Sequence, residues 1–187
     1  NLFSRGISTA DFQKLLANKD YPLINHAIGE IQPPGSTFKL VTGSGALADK
    51  KLGPTETVLS KPFVQIGSTK YYEWNRAGWG PLNILDGFAH SSDTFFYQLA
   101  QRLGIDRLAF WARQYGFGQK TGIDLPAEAS GLVPTDRWKL DTFGQAIFPG
   151  EVLQAGIGQG YDLATPLQVL NSYAAMANGG KLYQPQV

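Results

Sequence analysis

Glycine and proline interrupt this chain so often that no long regular element can run through it. There are 22 glycines and 11 prolines among 187 residues, well above the roughly 12% share usual for the two together. Proline lacks a backbone donor and glycine loses more entropy than other residues when fixed, so both punctuate helices and strands. Apolar residues nevertheless make up 43% of the chain, too many for a disordered segment. The breakers therefore read as turns between short elements that share a core.

Charge and cysteine content exclude several functions. Charged residues are only 17% and the formal net charge is +1, so the basic footprint of a nucleic-acid or anionic-lipid binder is missing. With no Cys, disulfides, thiolate metal sites and cysteine nucleophiles are ruled out. No stretch approaches the roughly 20 apolar residues of a membrane span, and the first residues lack the pattern of a signal peptide. The single Met is Met176, and the chain is expected to be an excerpt of something longer.

Residues 8–18 open with a Ser/Thr cap before an apolar-periodic stretch, which predicts a short helix. A second helix is expected over 36–49, although Gly43 and Gly45 weaken it unless something packs close. The β-rich runs 58–64 and 69–74 flank Ile66-Gly67-Ser68 and predict a small hairpin. Helical stretches follow after Gly80-Pro81 up to His90, from Asp93 to Leu103, and over 105–116, the last with Leu108, Trp111, Ala112 and Tyr115 at helical spacing. Residues 117–150 read mostly as loop. A last helix runs from Pro166 to Asn178, with Gly179-Gly180 just past its end. The pattern is helix-dominated with few strands, and most of any sheet is expected outside the chain.

Two groups of residues could carry chemistry. Pro33-Pro34-Gly35 place Ser36 where a helix begins, and Lys39, one turn on, falls on the same face. A serine is a weak nucleophile without a base in reach, and a lysine can be that base if burial or a neighbouring cation lowers its pKa. The same spacing also describes a capping serine beside an ordinary surface lysine. The second group is His90-Ser91-Ser92-Asp93. Either Ser92 or Asp93 simply caps the next helix, or Ser91 and Asp93 face Ser36 across a cleft, one relaying a proton and the other orienting it. Neither His90 nor His26 is assigned a catalytic role, since sequence neighbours seldom have Ser–His geometry. Tyr71, Tyr72, Trp74 and Trp79 could form a stacking shelf for glycan or peptide, but are expected to pack the hairpin onto the helices.

S-x-x-K followed by S-x-D belongs to the motif set of penicillin-binding proteins and serine β-lactamases. Around these motifs stand INHAIGEIQPPGSTFK (24–39), EWNRAGWGPLN (73–83), SSDTFFYQLAQRLGIDRL (91–108), TGIDLP (121–126), GIGQGYDLATPLQ (156–168) and AAMANGG (174–180). Through them the chain resembles the transpeptidase domain of class B penicillin-binding proteins, closest to the elongation-type, penicillin-binding protein 2-like member. The resemblance implies an α/β fold in which a helical subdomain packs on a five-stranded antiparallel sheet. It implies Ser36 as the acylated nucleophile, Lys39 as its base, and Ser91 with Asp93 as the second motif, Asp93 standing where Asn is common. The implied reaction is D,D-transpeptidation of peptidoglycan stem peptides through a serine acyl-enzyme, with no cofactor and with β-lactams acylating the same serine. Implied too are cell-wall elongation proteins as partners and a membrane-anchored protein whose domain lies on the periplasmic side of the bacterial cell membrane. The rival reading is a non-catalytic scaffold or sensor of the same fold.

Two departures from the family pattern shape further expectations. The third motif, K-[ST]-G on an edge strand, is matched only by Lys120-Thr121-Gly122, which comes soon after Asp93 in a glycine-rich context and is read as a decoy. Residues 1–187 are thus expected to be a partial transpeptidase domain lacking the C-terminal strand with the true third motif. Such a fragment is expected to be weak or inert alone, with the apolar face of the Ser36 helix uncovered. Some elongation-type relatives hold zinc near the serine through carboxylates, a His and a Cys. Here Trp79 stands for the His and Ser92 for the Cys, and neither suits zinc, so no metal is expected.

Overall fold

The computed structural model describes Phe3, Ser4 and residues 6–187. Helices α1 (Thr9–Leu16) and α2 (His26–Gly29) lead into a 3-10 turn (Gly35–Phe38) that continues as α3 (Lys39–Ala48). Next come four short strands, β1 (Val58–Ser60), β2 (Phe63–Ile66), β3 (Thr69–Tyr72) and β4 (Gly80–Leu82). Helices α4 (Ile84–Ala89), α5 (Asp93–Leu103), α6 (Ile105–Gln114), α7 (Asp136–Phe143), α8 (Pro149–Gly156) and α9 (Pro166–Ala177) complete the order. The class is α/β and mostly helical. Among the described residues no helix is long and apolar enough to cross a membrane.

The helix starts follow from capping chemistry. Ser8 accepts the Asp11 N–H at 3.1 Å, Asn83 that of Asp86 at 3.0 Å, and Thr165 that of Gln168 at 3.2 Å. Each cap contributes about 1 kcal/mol. The core is built around α5, whose Phe95, Phe96, Leu99 and Ala100 are all 0% exposed. Helices α3, α6 and α8 pack around it, and each fully buried Phe or Leu contributes about 1.5–3 kcal/mol. The two glycines that weaken α3 on paper are where its neighbours come closest. A Cβ on Gly43 would lie 2.5 Å from Phe88 Cζ, and one on Gly45 2.7 Å from Trp111 Cδ1.

The strands are paired differently from expectation. The hairpin is β2 with β3, in register from Phe63 opposite Tyr72 to Ile66 opposite Thr69. Residues 58–60 instead pair antiparallel with β4, Ser60 opposite Gly80. Pro62 separates β1 from β2 because it has no N–H to offer a ladder. Its carbonyl accepts the Glu73 N–H at 2.9 Å, which folds the hairpin back onto β1.

Residues 117–150 are mostly loop as expected, but they also hold α7 and the start of α8, which the sequence reading did not place. Helix α7 is polar (Asp136, Arg137, Lys139, Asp141), so no apolar period announces it. Its signals are the Thr135 hydroxyl, which accepts the Trp138 N–H at 3.0 Å, and Gly144 at φ 71 beyond its end. Helix α8 opens on Pro149, and Glu151 accepts the Phe148 N–H at 2.8 Å. The expectation of an uncovered α3 is also corrected. Lys39–Gly43, Gly45 and Ala46 are buried, whereas α9 presents Leu170, Tyr173 and Met176 at 65%, 44% and 57% exposure.

Candidate active site

Ser36 sits in the 3-10 turn that opens α3 and is exposed at its mouth. Gly35 before it has φ 57, a conformation that costs glycine little and other residues more, which accounts for the glycine of Pro-Pro-Gly. The turn is held from both sides. Gln32 and Ala164 exchange backbone hydrogen bonds at 3.0 and 2.9 Å, and Gly35 N–H donates to the Gly158 carbonyl at 2.8 Å. Gly158 has φ 68, and a Cβ there would lie 2.4 Å from the Gly35 oxygen and 2.6 Å from Phe38 Cβ. The Gly-Gln-Gly stretch can therefore press on the Ser36 turn only because it carries no side chain at 158.

Lys39, the first residue of α3, points inward and its side chain is 2% exposed. An ammonium has three donors, and all three are used. They reach the Ser91 carbonyl at 2.7 Å, Ser91 Oγ at 3.1 Å and Asp93 Oδ1 at 2.6 Å. The Phe96 ring covers the charge from 5.6 Å. Of the four residues named from sequence, Lys39, Ser91 and Asp93 are thus brought together across 52 and 54 positions of chain. Lys39 sends no hydrogen bond to the Ser36 hydroxyl, which stays one turn away on the open side.

Ser91 lies between α4 and α5 with φ 48, left-handed backbone that a non-glycine residue seldom adopts. This turn directs both its carbonyl and its hydroxyl at Lys39. Ser92 then caps α5 by accepting the Phe95 N–H at 3.2 Å. The capping reading of this motif holds on Ser92, while Ser91 and Asp93 meet Lys39.

Sequence reasoning missed Glu73. Its carboxylate is 0% exposed and accepts from the Ser92 hydroxyl at 2.7 Å, the Thr94 N–H at 2.9 Å, the Asp93 N–H at 3.1 Å and the Trp74 N–H at 3.1 Å. The Thr94 hydroxyl also lies 2.9 Å away. Burial pushes this carboxyl up, but the donors from Ser92, Thr94 and Asp93 outweigh it and hold Glu73 below the usual carboxylate range. Nothing local in Tyr-Tyr-Glu-Trp sets this acid apart from an ordinary solvated one.

The other expectations have definite places. Lys120 is exposed on a loop, and Thr121 and Gly122 donate their N–H groups to Glu128 at 2.7 and 3.1 Å, so this tripeptide is on no strand. Trp79 stacks on His90 at 4.1 Å. Its ring offers no lone pair, the Ser92 hydroxyl donates, and the Glu73 oxygens are occupied by donors, so these residues do not fit the zinc site of elongation-type relatives. The aromatic residues divide. Tyr71 packs edge-on to Tyr97 at 6.1 Å and Trp79 is partly buried, while Tyr72 and Trp74 are 48% and 59% exposed. His26 is bound to Glu30 at 2.5 Å. A cavity of about 430 Å³ lies against the outer side of the Ser36 turn, lined by His26, Glu30, Pro34, Thr37 and Val169 among others.

Comparison with known proteins agrees with this geometry. The model of the penicillin binding protein transpeptidase domain matches residues 7–187. The peptidoglycan D,D-transpeptidase MrdA of Salmonella typhimurium is 39% identical over 189 residues, which cover 100% of this chain and 30% of that protein. The crystal structure of Pseudomonas aeruginosa PBP2 in complex with WCK 5153 is 40% identical with a TM-score of 0.92, over 97% of this chain and 42% of that one. PBP2 of Helicobacter pylori, solved in complex with MreC, is 38% identical with a TM-score of 0.91, over 97% of this chain and 34% of that one. The chain thus spans about a third of the length of its relatives. With its motif residues gathered around Lys39 and its fold shared with these structures, it belongs to the penicillin-binding protein transpeptidase domain family.

Proposed function

We propose that this chain is the motif-bearing helical part of a peptidoglycan D,D-transpeptidase that works through a serine acyl-enzyme on Ser36. The supporting observation is Lys39, a buried cation held by Ser91 and Asp93 one turn beyond an exposed serine. In its neutral form Lys39 takes the proton of Ser36 Oγ as that oxygen attacks the penultimate D-Ala carbonyl of a stem peptide. Ser91, bonded to Lys39, passes a proton to the departing D-Ala amine. An amine of a neighbouring stem peptide then attacks the ester and frees Ser36. β-Lactams enter the same first step and remain on the serine.

Residues 1–187 are on this reading a partial domain, with the third motif on a strand beyond Val187. Support comes from the share of the relatives that the chain spans and from the loop position of Lys120. The whole protein would be membrane-anchored with this domain in the periplasm, and would meet elongation proteins, as the MreC complex of its Helicobacter relative suggests. The test is incubation of the protein, with its native flanks, with fluorescent penicillin, followed by peptide mass spectrometry. An adduct on Ser36 that is absent from Ser36→Ala supports the enzyme. No adduct at all would leave the scaffold or sensor reading standing instead.

A further inference from the structure

We propose that Glu73 is a positioning residue for acylation, acting through Ser91 and Asp93. This rests on the reading of Lys39 and Ser36 given above. The carboxylate lies at the N-terminal end of α5, where it takes the N–H groups of Asp93 and Thr94 and the Ser92 hydroxyl. Anions are favoured at such helix ends, but here the anion comes from the hairpin, not from α5 itself. The consequence is geometric. With residues 92–94 clamped from behind, the strained turn at Ser91 and the Asp93 side chain are fixed towards Lys39. Strained backbone persists only where its surroundings over-determine it; Lys39 and the Phe88 carbonyl hold Ser91 itself, and Glu73 holds the three residues that follow it. Ser60 joins the same knot through the Ser92 hydroxyl at 2.8 Å, tying β1 to it as well. The hairpin is thereby joined to the Ser91 turn by hydrogen bonds to a carboxylate.

A double-mutant cycle tests this on the protein with its native flanks, using second-order acylation by fluorescent penicillin. Wild type, Glu73→Gln, Ser91→Ala and the double variant are compared. Glu73→Gln is expected to slow acylation at least about tenfold, and the double variant to be no slower than the worse single one, because both changes disable the same contact. A purely structural role would multiply the two effects, and that outcome overturns the proposal, as does acylation by Glu73→Gln within about twofold of wild type. Should Glu73→Gln not fold, Ser92→Ala takes its place in the cycle, since it removes one donor to the carboxylate and leaves Glu73 in place. The same criteria then decide. Loss of acylation on chelation, restored by zinc, would also overturn it. A wild type that is not acylated at all points to failure of the enzyme reading, whereas an active wild type with an additive cycle points to failure of this one.

Discussion

Lys39 must be buried to sit beside Ser91 and Asp93, and must lose its proton to act as a base. Asp93 Oδ1 lies 2.6 Å from its Nζ. Lys39→Arg keeps the cation and its partner but cannot give up a proton, since guanidinium stays charged. Acylation of Ser36 by penicillin is expected to fall by about 10²–10⁴, the usual contribution of a general base, as followed by a fluorescent-penicillin time course. A second buried group works against the fold. Asp162 is 2% exposed and its Oδ2 has no partner, and burial raises its pKa well above the ordinary carboxylate value. The native state therefore keeps a proton that the unfolded chain releases above about pH 4, so stability falls as pH rises through that range and beyond. Asp162→Asn, close in shape to the neutral acid, is expected to raise the unfolding midpoint at pH 7 by a few degrees and to lose that advantage near pH 3. A midpoint difference that does not change with pH would contradict the assignment.

Among the elements, α5 and α8 are in the closest contact. A Cβ on Gly156 would lie 2.3 Å from Ala100 Cβ, and neither can turn away, because both atoms are fixed by backbone. Gly156→Ala gains about 1 kcal/mol of helix propensity but overpacks at a cost of about 1–3 kcal/mol. The net expectation is a lower unfolding midpoint, by a few degrees at about 2–4 °C per kcal/mol for a domain of this size, measured by calorimetry. A rise in midpoint would mean that the helices separate freely. The elements most legible in sequence were α1, α5 and α9, which have a side-chain cap, and α6, which has an apolar period without one. Helix α7 has the cap but a polar face, so its position depends on Lys139, whose ammonium holds Glu151 of α8 at 2.6 Å and the Tyr161 hydroxyl at 2.7 Å. The partner of β1 was illegible because residues 61–79, with the β2–β3 hairpin among them, intervene before β4, and pairing at that distance leaves no local trace.

At the scale of the whole molecule, the exposed side of α9 and the loop position of Lys120 lead to one expectation. Residues 1–187 alone should be acylated by penicillin at least about 10²-fold more slowly than the protein with its native flanks, the loss expected for one missing oxyanion donor. They should also self-associate through Leu170, Tyr173 and Met176. Equal second-order rates and a monomer by light scattering would mean that the site is complete within these residues. The sequence by itself singled out Ser36, Lys39, Ser91 and Asp93 as candidates, because each motif is a local spacing at a helix start, and because the motifs stand in order with their flanking segments. It also read Lys120-Thr121-Gly122 as a decoy, and the structure has this tripeptide on a loop. Only the tertiary structure decided that Glu73 is buried against residues 92–94, that β1 pairs with β4, and which helix shows an apolar face. These depend on which groups meet across the chain, and a buried carboxylate differs from a solvated one only by the donors that the fold brings to it.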